Sequence, residues 1–562
     1  MSYFRFFLVQ NLFLGFLYAQ TFPDLTSNTP RHPENPEIQQ IKVNKTPSKR
    51  YIILGSSNPL VKNFNNSPVL QRSVVSEIEH LTSKVSEKVG ESSIKGSTKL
   101  ASVALFIETT ESKISELKRD GLNIIEDEIY HITLEESLQR TKIAQAWNLN
   151  DNFGNPIKGR NIRIGIIDTG VDHSHPAFGA CTTFEGCQKF GGGYDFVYND
   201  PIPDDKNGHG THVAGIAAGI EQGYSGVAPE ATLYAIKVLG DDGLGYLSSI
   251  LAGLDYSLDP NRDGSLSDRL DIVNLSLGGP GGSESILSQA VDNLVSAGVV
   301  AVVAAGNSGH FGGYSISSPG SSINAITVGA TFKQNYPGQN LWGDQTPTED
   351  EVTPFSSIGP SYNYEDTNER YLKPDLVAPG AIVCAPKSSL LNDPSTCSPG
   401  RIGFSGTSMS SPHVAGVAAL ILQKNPFLSP FEIKDLMRRT ARKLPESLGR
   451  GVFSQGFGLM DAEAATRAAE HMSLAKIKTR GRITGGEYPI TGTAKAHGFL
   501  KYELAMKLDS DWQILSEGRD AVDDGILGRI SLPVAVEDSF IWLRLKVYSL
   551  DSSENEVISE DY

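Results

Sequence analysis

Ile162-Arg163-Ile164-Gly165-Ile166-Ile167-Asp168-Thr169-Gly170 is a mostly apolar run that ends on an acid and a Thr-Gly turn. A near-continuous apolar segment bounded by a turn signal reads as a strand buried on both faces. The pattern returns at Leu233–Val238, Ile272–Ser276, Val299–Val303 and Ala325–Val328, with helical patterns between them at Leu247–Ser257, Ser285–Ala297 and Ser408–Leu422. Strands alternating with helices predict an α/β domain whose parallel sheet is covered on both sides. Ligands of such sheets bind beyond the carboxyl ends of the strands, where Asp168 and Asn307 fall.

Two further segments supply chemistry to match Asp168. His209 opens His209-Gly210-Thr211-His212-Val213-Ala214-Gly215, and Ser408 sits in Gly406-Thr407-Ser408-Met409-Ser410-Ser411-Pro412-His413. An acid, an imidazole and a hydroxyl are the parts of a relay that activates a serine nucleophile. Their order along the chain, Asp then His then Ser, is that of subtilisin and not of chymotrypsin. On these three signatures the stretch from about Ala144 to about Ala468 resembles the subtilase family of serine endopeptidases. Singly, the residues have plainer readings: a strand-end cap, a helix cap, a turn. Together they point to one site.

The resemblance implies a role for each position. Ser408 is the expected nucleophile, at a helix start whose dipole favours developing negative charge. His209 is the expected general base, Asp168 the group that orients it, and Asn307, in Ala304-Ala305-Gly306-Asn307-Ser308-Gly309, the expected oxyanion donor. His212 is expected to be structural. Ser276, Leu277 and Gly278, with Leu244 and Gly245, are the expected substrate-binding segments, whose backbone pairs with an extended peptide. Ser318-Pro319-Gly320 resembles the segment near the base of the first specificity pocket. It holds no acid, so the expected activity is broad, with a preference for apolar or aromatic side chains. Thr169 after Asp168, in place of a second acid, argues against a proprotein-convertase-like preference. The chemistry requires no cofactor.

Residues 1–19 read as a signal peptide: Arg5 precedes a short apolar stretch, Phe6–Tyr18. Residues 20–48, rich in Pro, Asn and Thr, read as a linker. From 49 to 135 the patterning predicts strands at Tyr51–Leu54, Val103–Ile107, Leu122–Ile125 and Ile129–Leu134, with helical faces at Ile78, Leu81 and Val85 and at Ile114 and Leu117, as in a split βαβ domain. Placed before a peptidase domain at 136–470, it resembles the inhibitory propeptide of the family. Its tail would fill the cleft until cut near His131–Glu136. A permanent accessory domain is the alternative.

Residues 473–562 show period-two alternation, Tyr502, Leu504 and Met506 against Lys501, Glu503 and Lys507, and predict a small β-sandwich. It carries no catalytic cluster, so its expected role is to bind a surface or a substrate. The net charge of −16 over 562 residues excludes nucleic acid as an expected partner. No segment after the signal is long and apolar enough to span a membrane. Four cysteines in an exported chain suggest two disulfides; three pairings are possible, and Cys181–Cys187 with Cys384–Cys397 is the sequence-local one. Partners are therefore polypeptide substrates and the chain's own propeptide, and the localisation is secreted or at the cell surface.

One metal site is expected. Asp259, Asn261, Asp263 and Gly264, with Asp268, alternate oxygen ligands around a turning glycine, as in a calcium loop. The twelfth position is Leu270 where the full pattern has an acid, so a bound ion and a solvated turn both stand. The loop after the His209 segment, Gly219–Gly226, is shorter than the calcium loop of many relatives. A non-catalytic binding protein on the same fold is the competing function. Its signature would be lost catalytic residues, and none is lost.

Overall fold

The computed structural model describes residues 49–55, 68–98, 103–126, 129–132, 141–221, 225–332, 350–363, 370–391, 397, 400–470, 473–479, 486–496, 498–507, 511–532, 541–550 and 556–561. The signal and linker readings at 1–48 lie outside them, as does most of the expected cut region after Ile132. Among the described residues no helix is long and apolar enough to cross a membrane.

Seven strands form the central sheet: β1 (Arg163–Asp168), β2 (Phe190–Asp195), β3 (Thr232–Lys237), β4 (Ile272–Leu275), β5 (Val300–Ala304), β6 (Ile326–Thr331) and β7 (Leu376–Pro379). They run parallel in the order β7-β6-β5-β4-β1-β3-β2. Because side chains alternate along a strand, each strand feeds two cores. Ile164, Ile166, Val300 and Val302 join one apolar cluster, with helices α1 (His209–Ala218) and α4 (Thr407–Lys424). Ile167, Val273, Leu275, Ala301 and Val303 join the other, with α2 (Leu247–Leu258) and α3 (Ile286–Ser296). This is the expected parallel three-layer arrangement.

The first sheet, residues 49–126, has the strand-helix-strand-strand-helix-strand order of a split βαβ domain, though not all of its strands are the expected ones. It is antiparallel, in the order Ile94–Thr98, Ala104–Thr109, Lys49–Leu54, Asn123–Glu126. Ile94–Thr98 was not expected, because Lys95-Gly96-Ser97 lacks strand formers. Ile129–Ile132, expected as the last strand of this sheet, leaves it and pairs inside the seven-stranded domain's cleft. Tyr51, Ile53, Leu105 and Ile107 pack with Leu81, Val85, Ile114 and Leu117 in a core of their own. Ile52, Ala104 and Phe106, on the opposite face, join the α2/α3 cluster.

The C-terminal strands form two antiparallel sheets around one core that includes Ile477, Ile490, Tyr502, Leu504, Ile530 and Leu545. Leu500, two residues before Tyr502 in the alternating run, is 41% exposed, because a register shift between Phe499 and Lys501 displaces it. The sandwich is fastened to helix α5 (Pro430–Thr440): Arg438 donates to Asp561 Oδ1 at 3.0 Å, and Lys476 lies over the Phe431 ring at 3.3 Å. The disulfides are Cys181–Cys187 and Cys384–Cys397, the sequence-local pairing.

A buried ionic cluster joins α5 to the sheet. Asp375 Oδ2 accepts from Lys373 Nζ at 2.9 Å and from Thr327 N at 2.8 Å, and Lys434 Nζ lies 3.1 Å from Asp375 Oδ1. Burial alone would raise the pKa of this carboxyl, but Lys373, Lys434 and Arg438 outweigh it and hold the group well below the usual range. Asp375→Asn leaves buried cations without their anion and is expected to cost about 3–5 kcal/mol in chemical denaturation at neutral pH. A carboxyl with a lowered pKa stabilises only while ionised. The difference from wild type should therefore hold above the ordinary aspartate range, near 4, and shrink as pH falls below it.

Candidate active site

Asp168 closes β1 and His209 opens α1, and both are fully buried. His209 Nδ1 lies 2.7 Å from Asp168 Oδ1, which also accepts from Thr169 N at 2.8 Å. A carboxylate only accepts, so this contact places the proton on Nδ1 and leaves Nε2 as the ring's basic atom.

Ser408 lies in the first turn of α4, and Ser408 Oγ donates to the carbonyl of Ser276 at 3.1 Å. Ser276 follows β4 directly, and β4 pairs with β1 through Leu275 and Ile167, so Ser276 and Asp168 occupy equivalent ends of adjacent strands. The contact is returned: Ser276 Oγ donates to Ser408 O at 2.7 Å. That carbonyl is open because its usual helical partner, four residues on, is Pro412, which has no N–H. Asn274 Nδ2 and Ser411 Oγ complete the surroundings of Ser276 Oγ, each at 2.9 Å.

Asn307 follows β5 after Gly306, whose φ of +104° is open to glycine and strained for other residues. Its Oδ1 accepts from Thr407 N at 2.9 Å and from Thr407 Oγ1 at 3.1 Å. The amide is thereby turned so that Nδ2 is the free end, buried and with no partner among the described residues. Thr407 was not singled out from sequence; its place between Gly406 and Ser408 was the signal available.

His212 faces away from the relay. Nε2 lies 3.0 Å from Val383 O and 3.2 Å from Ile402 O, and burial pushes its pKa down to about 3. It fastens α1 to the antiparallel pair Val383–Pro386 and Arg401–Phe404.

The expected substrate segments meet around one strand. Ile129–Ile132 lies antiparallel between Leu244–Tyr246 and Leu277–Gly278, with Tyr130 opposite Gly245, His131 opposite both Leu244 and Gly278, and Ile132 opposite Leu277. Beside it is a cavity of about 310 Å³ whose lining includes Gly278, Gly306, Asn307, Ile316 and Ser317. The pocket wall thus comes just before the expected Ser318-Pro319-Gly320. Ser318 is tied by two backbone hydrogen bonds to Gly279, which lines the pocket.

Away from the cleft, carboxylate oxygens of Asp259, Asp263 and Asp268 lie within 4.8 Å of one another. Asn261 Nδ2 donates to Asp263 Oδ2 at 3.1 Å, and Asp268 Oδ1 is buried with no hydrogen-bond partner among the described residues. The ends of the Gly219–Gly226 loop close directly on each other, Gly226 N to Gly219 O at 2.8 Å.

The family model described as the subtilase family, peptidase S8, matches residues 159–459. Subtilisin DY of Bacillus licheniformis is 37% identical over 313 residues, 55% of this chain and 92% of that protein. Subtilisin BL of Lederbergia lenta is 38% identical over 315 residues, 55% of this chain and 93% of that protein. The M-protease of Shouchella clausii (strain KSM-K16) is 36% identical over 347 residues, 59% of this chain and 73% of that protein. The match extends over more than half of the chain and takes in Asp168, His209, Asn307 and Ser408: the chain belongs to the subtilase family of serine endopeptidases.

Proposed function

We propose that the chain is the secreted, self-cutting precursor of a broad-specificity endopeptidase. In its reaction Ser408 Oγ attacks the scissile carbonyl while His209 Nε2 takes its proton, and Asp168 stabilises the imidazolium that forms. Asn307 Nδ2 and the Ser408 amide donate to the tetrahedral oxyanion. His209 returns the proton to the leaving amine, and water then hydrolyses the acyl-enzyme. Three features support these roles: the buried 2.7 Å Asp168–His209 contact, the Ser408 hydroxyl at the end of the adjacent strand, and the one unengaged amide of Asn307.

The observation that carries the zymogen reading is the strand Ile129–Ile132, held on both edges by the cleft segments. On the cut inferred below, residues 49–133 are the inhibitory propeptide, 134–470 the peptidase part and 473–562 the C-terminal domain. Ile132 lies opposite Leu277, and the residue before Leu277 is Ser276, whose carbonyl receives the Ser408 hydroxyl. We infer that the first cut falls between Thr133 and Leu134. Backbone pairing reads no side chain, so a threonine there agrees with broad specificity. The described lining of the adjacent pocket holds no acid, which favours apolar side chains over basic ones. The signal reading of residues 1–19 and the two disulfides support secretion.

The Asp259 loop fits calcium: its donors are hard oxygens on three carboxylates and one amide, and Asp268 Oδ1 is an unused buried acceptor. The ion would brace the end of α2 and take no part in the chemistry.

Three outcomes are expected. By mass, the exported wild type should lose everything through Thr133 and begin at Leu134, while Ser408→Ala keeps the segment; if both stay full length, the self-cutting reading is wrong. Asn307→Ala should lower kcat about a hundred- to a thousandfold with little change in KM, a magnitude taken from the corresponding asparagine of subtilisin itself. A calcium chelator should lower the melting temperature of the wild type and leave that of Asp263→Asn unchanged; equal shifts would reject the calcium site.

A further inference from the structure

The end of α1 that carries His209 turns its donors onto one carboxylate outside the relay. Asp205 has no exposed surface. Its Oδ1 accepts from Thr169 Oγ1 at 2.8 Å, Gly208 N at 2.8 Å and Asn207 N at 3.1 Å. Its Oδ2 accepts from Thr211 N at 2.8 Å and Thr211 Oγ1 at 2.6 Å. Both hydroxyl directions are forced. Thr169 Oγ1 accepts from Gly210 N at 2.8 Å and Thr211 Oγ1 from Asp172 N at 2.9 Å, so each hydroxyl hydrogen goes to Asp205. Every contact to the carboxyl is therefore a donor, and the surroundings are built for an anion. Burial pushes this carboxyl up against the pull of the donors from Thr211, Gly208 and Thr169.

The placement explains why such a site is worth its desolvation. Thr169 is joined to Asp168, and Gly208 to His209. One side chain thus grips the residue after the relay acid and the residue before the relay base. Lys237 Nζ, on the neighbouring strand, secures the same corner through Thr169 O at 2.7 Å. None of the Asp205 contacts is to the His209 ring or the Ser408 hydroxyl.

We propose that Asp205 is a positioning residue for the relay, fixing Asp168 and His209 relative to one another through Thr169 and the first amides of α1, and favouring the protonated imidazole by its charge. This rests on the relay assigned above to Asp168, His209 and Ser408. The other charged or titratable groups about this corner include Asp172, Asp204 with its partner His173, Lys237 with its partner Asp241, Lys206 facing Asp241, and neutral His212.

The test compares wild type with Thr169→Val, Thr169→Ser, Asp205→Asn and His209→Ala, each checked for its melting temperature. Thr169→Val removes the hydroxyl and keeps the shape. It should lower kcat about tenfold or more with KM within twofold, and Thr169→Ser should restore wild-type kcat. In Asp205→Asn kcat should fall further, and the acid limb of the kcat/KM profile should move to lower pH, because an anion that favours the imidazolium is gone; Thr169→Val should leave that limb in place. Wild-type kcat in folded Thr169→Val, or an equal loss in Thr169→Ser, would overturn the proposal, as would an unmoved acid limb in Asp205→Asn. If Asp205→Asn does not fold, the Val and Ser pair decides. An active His209→Ala would instead refute the relay itself, whatever Asp205 does.

Discussion

The parallel pairing of β1 with β4 is the constraint on which the site depends. It sets Leu275 beside Ile167, and so brings Ser276 to the same level as Asp168. From Asp168 the relay runs to His209 on α1. From Ser276 two hydrogen bonds run to Ser408 on α4. Each helix presents its positive end to this line, so two buried helix starts converge on it. The helices are held there by the core, with Val213, Ile216, Val414 and Val417 packed on Ile164 and Ile166. Shifting one strand by a residue would separate the acid from the hydroxyl even with every side chain intact.

The same strand ends also organise what lies in the cleft. Ser276 directly precedes Leu277 and Gly278, which pair with Ile129–Ile132, so the residue bonded to Ser408 on α4 is joined to the segment that holds the occupant. The placing of Ser408 and the alignment of the strand in the cleft are therefore not independent.

Much of this was legible in sequence because the site residues lie within short runs. Asp168, His209, Asn307 and Ser408 each sit in a distinctive local pattern, and the apolar runs that precede Asp168 and Asn307 are strands under any reading. What was not legible is non-local. Alternation marked Ile129–Ile132 as a strand but does not say which sheet takes it. Ile94–Thr98 is a strand because Ala104–Thr109 offers it an edge, not because Lys95, Gly96 and Ser97 favour one. Leu500 turns outward through a register shift that no periodicity foretells. Asp205 is one of two adjacent aspartates in a polar loop, and only the closing of β1 against α1 separates it from Asp204.

The strand Ile129–Ile132 has one further consequence. Both of its edges are taken, by Leu244–Tyr246 on one side and Leu277–Gly278 on the other. If any other polypeptide is to lie there, it must come with its backbone donors and acceptors unspent. A segment within a helix or a sheet has already committed them, so a folded protein is vulnerable only where it opens locally, at loops, termini or transient unravelling. An enzyme nearly indifferent to side chains would then be selective in another sense: the rate at which it destroys a protein would report how often that protein comes apart.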